Sequence, residues 1–149
     1  MEAYLIATAC TKFEKKADQT FKSLTEEVYC DLLKSAKVEN GNMIGQAWFG
    51  NCGMGTFGQN NIRGQVCFTP LVQKKLFPER VGIINVEGGC ATGSMAFHGA
   101  WKDVISGTED VSLAIGVEKI YQPNQPEKIQ EIYDGGIDQF DRNDWLEFY

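Results

Sequence analysis

The sequence predicts an α/β domain whose mostly parallel sheet is covered by helices, and three observations carry the prediction. Four uncharged, largely apolar runs, residues 3–11, 43–49, 81–86 and 111–117, have the length and character of buried strands. Between them lie segments with helical spacing, clearest at Phe21, Leu24, Val28, Leu32 and Leu33. Strands alternating with helices in this way build βαβ units, which place successive strands parallel and their helices on the sheet faces.

The first run, residues 3–11, reads as a buried strand ended by the polar stretch 12–16. Asp18 is the expected N-cap of the first helix, because its short carboxylate can accept from the unpaired N–H groups of a first turn. Gly41 is expected to close that helix. Residues 43–49 form the second strand, followed by a Gly-rich turn and a short, weaker helix from Gln59 until Pro70 interferes. The third strand runs from Val81 to Glu87. Four of the six residues from Val81 to Val86 are β-branched. Gly88 and Gly89 turn the chain sharply into a helix expected from Cys90 to about Ser106, and residues 111–117 make the fourth strand. Beyond Tyr121 the pattern stops at Pro123, Pro126 and the pair Gly135 and Gly136. Residues 141–149 read as a helix beginning where the chain ends.

Composition narrows the function. A chain of 149 residues suffices for one domain with a substantial core. The net charge of −6 is uneven: residues 122–149 hold seven acids against Lys128 and Arg142, while residues 1–121 are nearly balanced. Neither part offers the basic stripe that a phosphate backbone requires, which argues against a nucleic-acid partner. The acidic tail reads as solvated surface. Five cysteines, an odd number without a C-x-x-C pair, argue against a zinc site or a disulfide framework. With Glu2 where a signal peptide needs positive charge, and no run long enough to span a bilayer, the expectation is a soluble, cytoplasmic protein.

Two motifs invite chemistry. Gly53, Gly55 and Gly58 satisfy G-x-G-x-x-G after a strand, but the fingerprint belongs in the first βαβ unit and Glu79 lies before the third strand rather than at its end, so a flexible turn is expected rather than a dinucleotide site. Cys90 is the stronger candidate. It lies at a helix start, where unpaired N–H groups and the helix dipole favour a thiolate and could hold an oxyanion, and Gly89, Ala91 and Gly93 keep large side chains away from it. A small buried cysteine is the competing reading. Cys10, Cys30, Cys52 and Cys67 are read as packing residues. His98, the only histidine, lies eight residues along the same helix, about 12 Å away at 1.5 Å per residue, and is excluded as the base. Any base for Cys90 must come from outside this chain.

Four segments in order carry a family resemblance. Residues 87–94, Glu-Gly-Gly-Cys-Ala-Thr-Gly-Ser, resemble the nucleophile segment of thiolases, with the glutamate of the sterol-carrier-protein-type and archaeal branch. Residues 9–13 resemble the end of the family's first strand, residues 58–65 its G-Q-N-x-x-R-Q element, and residues 106–119 its S-G-x-x-D-V-x-L-x-x-G-V-E-K run. The resemblance implies a thiolase-like layered fold, incomplete at the C-terminus, with residues 1–121 as the first part of the N-terminal domain and 122–149 as the start of a loop region over the active site. It implies an acyltransferase in which Cys90 forms an acyl-cysteine intermediate from a β-ketoacyl-CoA, with coenzyme A as co-substrate, no permanently bound cofactor and no metal. The acyl group is expected to be aromatic or branched, in a degradative pathway. The family's histidine, oxyanion loop and second cysteine belong to a second half, so this chain alone is expected to be inactive. A homodimer through the Val81 to Glu87 edge strand and a small zinc-bearing OB-fold partner are further implications. Ketoacyl synthases and hydroxymethylglutaryl-CoA synthases share a cysteine at such a turn and are the enzymatic alternatives; a non-catalytic scaffold is the other.

Overall fold

A computed structural model describes residues 2–143 and 147. Its centre is a three-stranded parallel sheet of order β2-β1-β3, formed by β1 (Gln46–Gly50), β2 (Gly82–Val86) and β3 (Ser112–Gly116). In register, Trp48 lies opposite Ile84 on one side and Ala114 on the other. Helix α1 (Phe21–Ala36) precedes the sheet, α2 (Arg63–Gln73) joins β1 to β2, and α3 (Thr92–Ser106) joins β2 to β3. These two connections step across the sheet in opposite directions. Right-handed crossovers therefore place α2 and α3 on opposite faces.

Strand alternation sorts the side chains between those faces. Ala47 and Phe49, both fully buried, face α1 and α2, where Phe49, Phe68, Tyr29 and Phe77 pack edge to face. Such pairs contribute about 0.5–1.5 kcal/mol beyond their burial. Trp48 faces α3, and its indole N–H donates to Asp103 at 2.6 Å. A Cβ at Gly99 would overlap the Trp48 ring, so glycine there allows α3 to approach. The α3 face is thinner: Met95, Phe97 and Trp101 stay largely exposed.

Several boundaries differ from the sequence reading. The N-cap of α1 is Thr20, whose hydroxyl accepts the Ser23 N–H while Ser23 accepts the Thr20 N–H, a reciprocal box that Asp18 could not make. Lys37, left-handed at φ 58°, ends α1, and Gly41 serves instead as a contact against the Tyr29 ring. Pro70 lies inside α2 rather than ending it, since the core residues Phe68 and Leu71 on either side anchor the helix through the lost hydrogen bond. An additional helix, α4 (Glu127–Asp134), follows Pro126 and packs on the 53–57 turn, with Ile132 against Gly53. The helix expected over residues 141–149 falls mostly outside the described residues.

The largest departure is at the start. Residues 3–11 are extended but form no strand, and Tyr4, Leu5 and Ile6 are 75%, 68% and 70% exposed. Among the described residues no backbone hydrogen bond joins them to the sheet. The segment is tied down farther along, where Lys16 pairs with Glu27 at 2.9 Å and Lys15 lies 5.2 Å from the centre of the Tyr121 ring.

Candidate active site

β2 delivers the chain to the carboxyl edge of the sheet, and the next six residues build the site. Gly89 takes φ +56°, a left-handed conformation in which a Cβ is strained, and a short 3₁₀ turn, Gly89–Ala91, follows. Cys90 sits in this turn and not in α3, which begins two residues later at Thr92. The tight turn is favoured because Thr92 holds it from below: its hydroxyl accepts the Gly88 N–H at 2.9 Å and donates to the Gly89 carbonyl at 2.7 Å. The Ala91 N–H donates to the Gly88 carbonyl at 3.1 Å, and the Gly89 N–H donates to Glu87 Oε1 at 2.6 Å. Cys90 itself is exposed. A Cβ at Gly89 or Gly93 would meet nothing within 4 Å, so the approach to the thiol is open. No side chain caps the N-terminus of α3, and the Thr92 N–H donates to the Gly89 carbonyl, so α3 continues directly from the 3₁₀ turn that carries Cys90.

A polar layer joins the three strand ends beneath this turn. Asn51, almost completely buried, donates from Nδ2 to the Val117 carbonyl at 2.7 Å and accepts the Met54 N–H at 2.9 Å. Its own N–H reaches the Val86 carbonyl at 3.3 Å, and Arg63 donates to its carbonyl at 2.5 Å. Glu118 accepts from the Cys52 and Gly53 N–H groups. Much of Glu118 is exposed by surface area, yet its carboxylate is drawn into this turn. Its pKa is pushed above the ordinary carboxylate value, with desolvation outweighing the two N–H donors and Arg63. A Cβ at Gly50 would lie 3.0 Å from Thr92 Cγ2, so the glycine lets α3 start directly over β1.

Thr92, Asn51 and Glu118 were not legible as site residues in the sequence. A hydroxyl two residues after the cysteine was the one available signal for Thr92. The 53–58 glycine motif is a turn as expected, a partly buried 3₁₀ turn (Gly53–Phe57) ending at Gly58, φ +93°. Glu118 and Ile132 lie 2.8 and 3.2 Å from where a Gly53 Cβ would be, so the glycine lets both side chains pack on the turn.

The other cysteines separate clearly from Cys90. Cys67 is fully buried, 3.9 Å from Met54 Sδ, and burial pushes its pKa up. Cys30 and Cys52 are half-buried and likewise shifted upward, by burial first; the Glu87 and Glu118 charges add to the shift at Cys52. Cys10 is exposed, so the packing expectation fails for it: the segment that carries it joins no sheet. His98 is exposed on α3 and stacks on Trp101 at 5.3 Å and 15°. The helix rise from Thr92 to His98 alone is about 9 Å. Among the described residues no side chain hydrogen-bonds to the Cys90 sulfur, and no three His, Cys, Asp or Glu side chains gather as a metal site.

An accessible thiol on a pinned turn, beyond the carboxyl ends of parallel strands and beside an uncapped helix start, is equipped to attack a carbonyl and hold the resulting oxyanion. Residues 3–142 match the model of the thiolase N-terminal domain. The chain is 32% identical over 117 residues to the benzoylsuccinyl-CoA thiolase subunit BbsB of Thauera aromatica, and equally so to the acetyl-CoA acetyltransferase of Methanocaldococcus jannaschii. Each alignment covers 78% of this chain and 28% of the relative, so the chain spans little more than a quarter of the length of these proteins. The α/β architecture, with its parallel sheet between helices, is consistent with the thiolase fold, and the chain belongs to the thiolase N-terminal domain family.

Proposed function

We propose that this chain is the nucleophile-bearing portion of a thiolase-type acyltransferase, with Cys90 as the acylated residue. The observation that carries the reading is the turn itself: Cys90 is exposed on Gly89–Ala91, fixed by both hydrogen bonds of the Thr92 hydroxyl, next to an uncapped α3 N-terminus. In thiolysis the Cys90 thiolate adds to the 3-keto carbon of a β-ketoacyl-CoA. The C2–C3 bond breaks, its electron pair leaves on C2, and C2 takes up a proton to release the shorter acyl-CoA. The thiol of coenzyme A then attacks the acyl-cysteine, regenerating the Cys90 thiolate as the second acyl-CoA departs. Condensation is the reverse. The proton donors and acceptors belong to parts of the protein outside these 149 residues.

Several finer features go with this reading. The name of the Thauera aromatica relative supports an aromatic β-ketoacyl-CoA substrate, and its description as a subunit supports a partner protein. Among the described residues β2 pairs with no strand but β1 and carries a half-exposed Ile84, which supports a homodimer through this edge strand. Gln65 donates to the Ile83 carbonyl at 2.9 Å, so a pairing strand has to accommodate that side chain. Five free thiols support a reducing compartment such as the cytoplasm. Among the described residues no helix is long and apolar enough to cross a membrane.

The test is thiolysis of a β-ketoacyl-CoA by the longer protein of which this chain is a portion, measured as wild type, Cys90→Ala and Cys52→Ala. Cys90→Ala is expected to lower kcat by about 10⁴-fold or more, on the scale of a lost nucleophile, while Cys52→Ala retains most of the activity. Full activity in Cys90→Ala overturns the assignment.

A further inference from the structure

Two glycines in succession carry the chain into the turn that bears Cys90, and a glycine pair does not hold a peptide plane by itself. The peptide between Gly88 and Gly89 can turn over by changing ψ of Gly88 and φ of Gly89, a movement that costs little where neither residue has a Cβ. Gly88 stands at φ −164° and ψ 41°, and Gly89 at φ +56°. A Cβ at Gly88 would displace the Met95 sulfur, and one at Gly89 would strain the left-handed backbone. The turn is therefore built for glycine at both positions and gains no stiffness from side chains there. Its geometry has to be fixed by what bonds to the two ends of that peptide.

The two ends have different anchors. The Gly88 carbonyl accepts the Ala91 N–H at 3.1 Å, within the 3₁₀ turn, while the Gly89 N–H donates to Glu87 Oε1 at 2.6 Å. The neighbouring N–H groups are satisfied by the turn and the start of α3, that of Gly88 by the Thr92 hydroxyl and that of Thr92 by the Gly89 carbonyl. Of these four N–H groups, the one on Gly89 alone depends on a carboxylate. Hydrogen bonds to an ionised acceptor are roughly twice as strong as neutral ones, so this contact is the stronger of the two that fix the plane. The carboxyl group also has a seat. β1 and β2 end level with each other at Gly50 and Val86, which brings the Cys52 thiol beside Glu87, and Glu118, just beyond β3, holds the Cys52 and Gly53 N–H groups in place.

We propose that Glu87 is a positioning residue for acyl transfer: by holding the Gly89 N–H it fixes the 88–89 peptide and, through it, the direction in which Cys90 presents its sulfur. Glu87 acts through the backbone and takes no proton from the thiol, as no hydrogen bond joins it to the Cys90 sulfur. The Gly89 N–H requires an acceptor oxygen and not a charge, so an amide in the same place serves nearly as well. The inference rests on the reading of Cys90 as the acylated residue.

Rapid-quench mass spectrometry of Cys90 acylation, with acetyl-CoA and benzoyl-CoA as donors, tests it in the longer protein as wild type, Glu87→Ala and Glu87→Gln, beside steady-state thiolysis. Glu87→Ala is expected to lower the acylation rate and kcat by about 10- to 100-fold, the scale of one hydrogen bond to a charged group, with KM within about threefold of wild type. The fraction of Cys90 finally acylated should match wild type, whereas a merely structural loss lowers that fraction and leaves the rate of the surviving molecules unchanged. Glu87→Gln is expected to stay within about threefold of the wild-type rate. Where Glu87→Ala does not fold, Glu87→Met, similar in length and lacking an acceptor, takes its place with the same expectation. Unimpaired acylation in the Ala or Met variant overturns this inference alone. So does a Gln variant as slow as Ala, because the charge or proton of the carboxylate would then be the requirement. A wild-type Cys90 that takes no acyl group overturns the proposed function and this inference together.

Discussion

Residues 82–86 and residues 3–9 both run extended, both are largely apolar, and both lie at a margin of the sheet, yet one is a strand and the other is not. β2 finds β1 at its side, and its register from Gly82 to Val86 is complete. Residues 3–9 line a cavity beside β3, and the chain is tied down farther along, by Lys16 on Glu27 and Lys15 on Tyr121. The difference has a functional side. The bonded margin has a fixed end, and a fixed end can place Gly89 at φ +56° and Cys90 on a tight turn. Apolar composition makes a segment eligible for a sheet; hydrogen-bonding neighbours make it a strand.

The largest expected effect breaks the comparison at the unbonded margin. Ile6→Ser should change the stability of the 149-residue chain by less than about 0.5 kcal/mol, because the side chain is mostly exposed there. In the longer protein the same substitution is expected to cost about 2–5 kcal/mol, the scale of losing a buried aliphatic side chain. Paired urea titrations read both values. Equal, small values in the two proteins would mean that residues 3–9 stay at the surface.

At the bonded margin, Thr92→Val keeps the shape of the side chain and removes the hydroxyl that bonds to both Gly88 and Gly89. Leaving those partly buried groups unpaired is expected to cost about 1–3 kcal/mol. It should also slow acylation of Cys90 more than it weakens binding of the acyl-CoA, a kcat effect rather than a KM effect. Unchanged kcat in a destabilised variant would reduce Thr92 to a packing role.

The smallest effect concerns the tether. Hydrogen bonds from Lys16 and then Gln19 hold the Glu27 carboxyl below its ordinary pKa. A folded pKa below the unfolded one gives a contribution that is present above the unfolded value and lost as pH falls through the folded value. Glu27→Gln should therefore remove about 1 kcal/mol at neutral pH and nothing in strong acid, as for a part-buried pair still reached by solvent. The pH dependence of the urea midpoint, compared between the two proteins, measures it; an identical pH profile would show that the pair does not anchor the segment.

How much of this was legible in the sequence follows the same division. The strands of the sheet were placed to within three residues, because uncharged β-branched runs such as Val81 to Val86 have no other comfortable home. Residues 3–11 carry the same signal, but pairing depends on a neighbour that no local pattern encodes. Thr20 displaced Asp18 as the cap through a reciprocal bond with Ser23, and Pro70 was carried inside α2 by tertiary packing of Phe68 and Leu71. α4 is short and mostly polar, with one apolar stripe, and its packing against the 53–57 turn could not be anticipated. At the site, Cys90 was found by its position and by resemblance. Asn51 and Glu118 matter through bonds to residues about 65 positions away, which sequence spacing does not register.

On the proposed function, the thiol on the Gly89–Ala91 turn is the acylated nucleophile. Its most direct test is peptide mapping by mass spectrometry after the longer protein is incubated with an acyl-CoA and quenched in acid. An acyl mass is expected on the peptide containing Cys90, and it should disappear in Cys90→Ala. An acyl mass carried by Cys10, Cys52 or any other residue, with Cys90 unmodified, would contradict it.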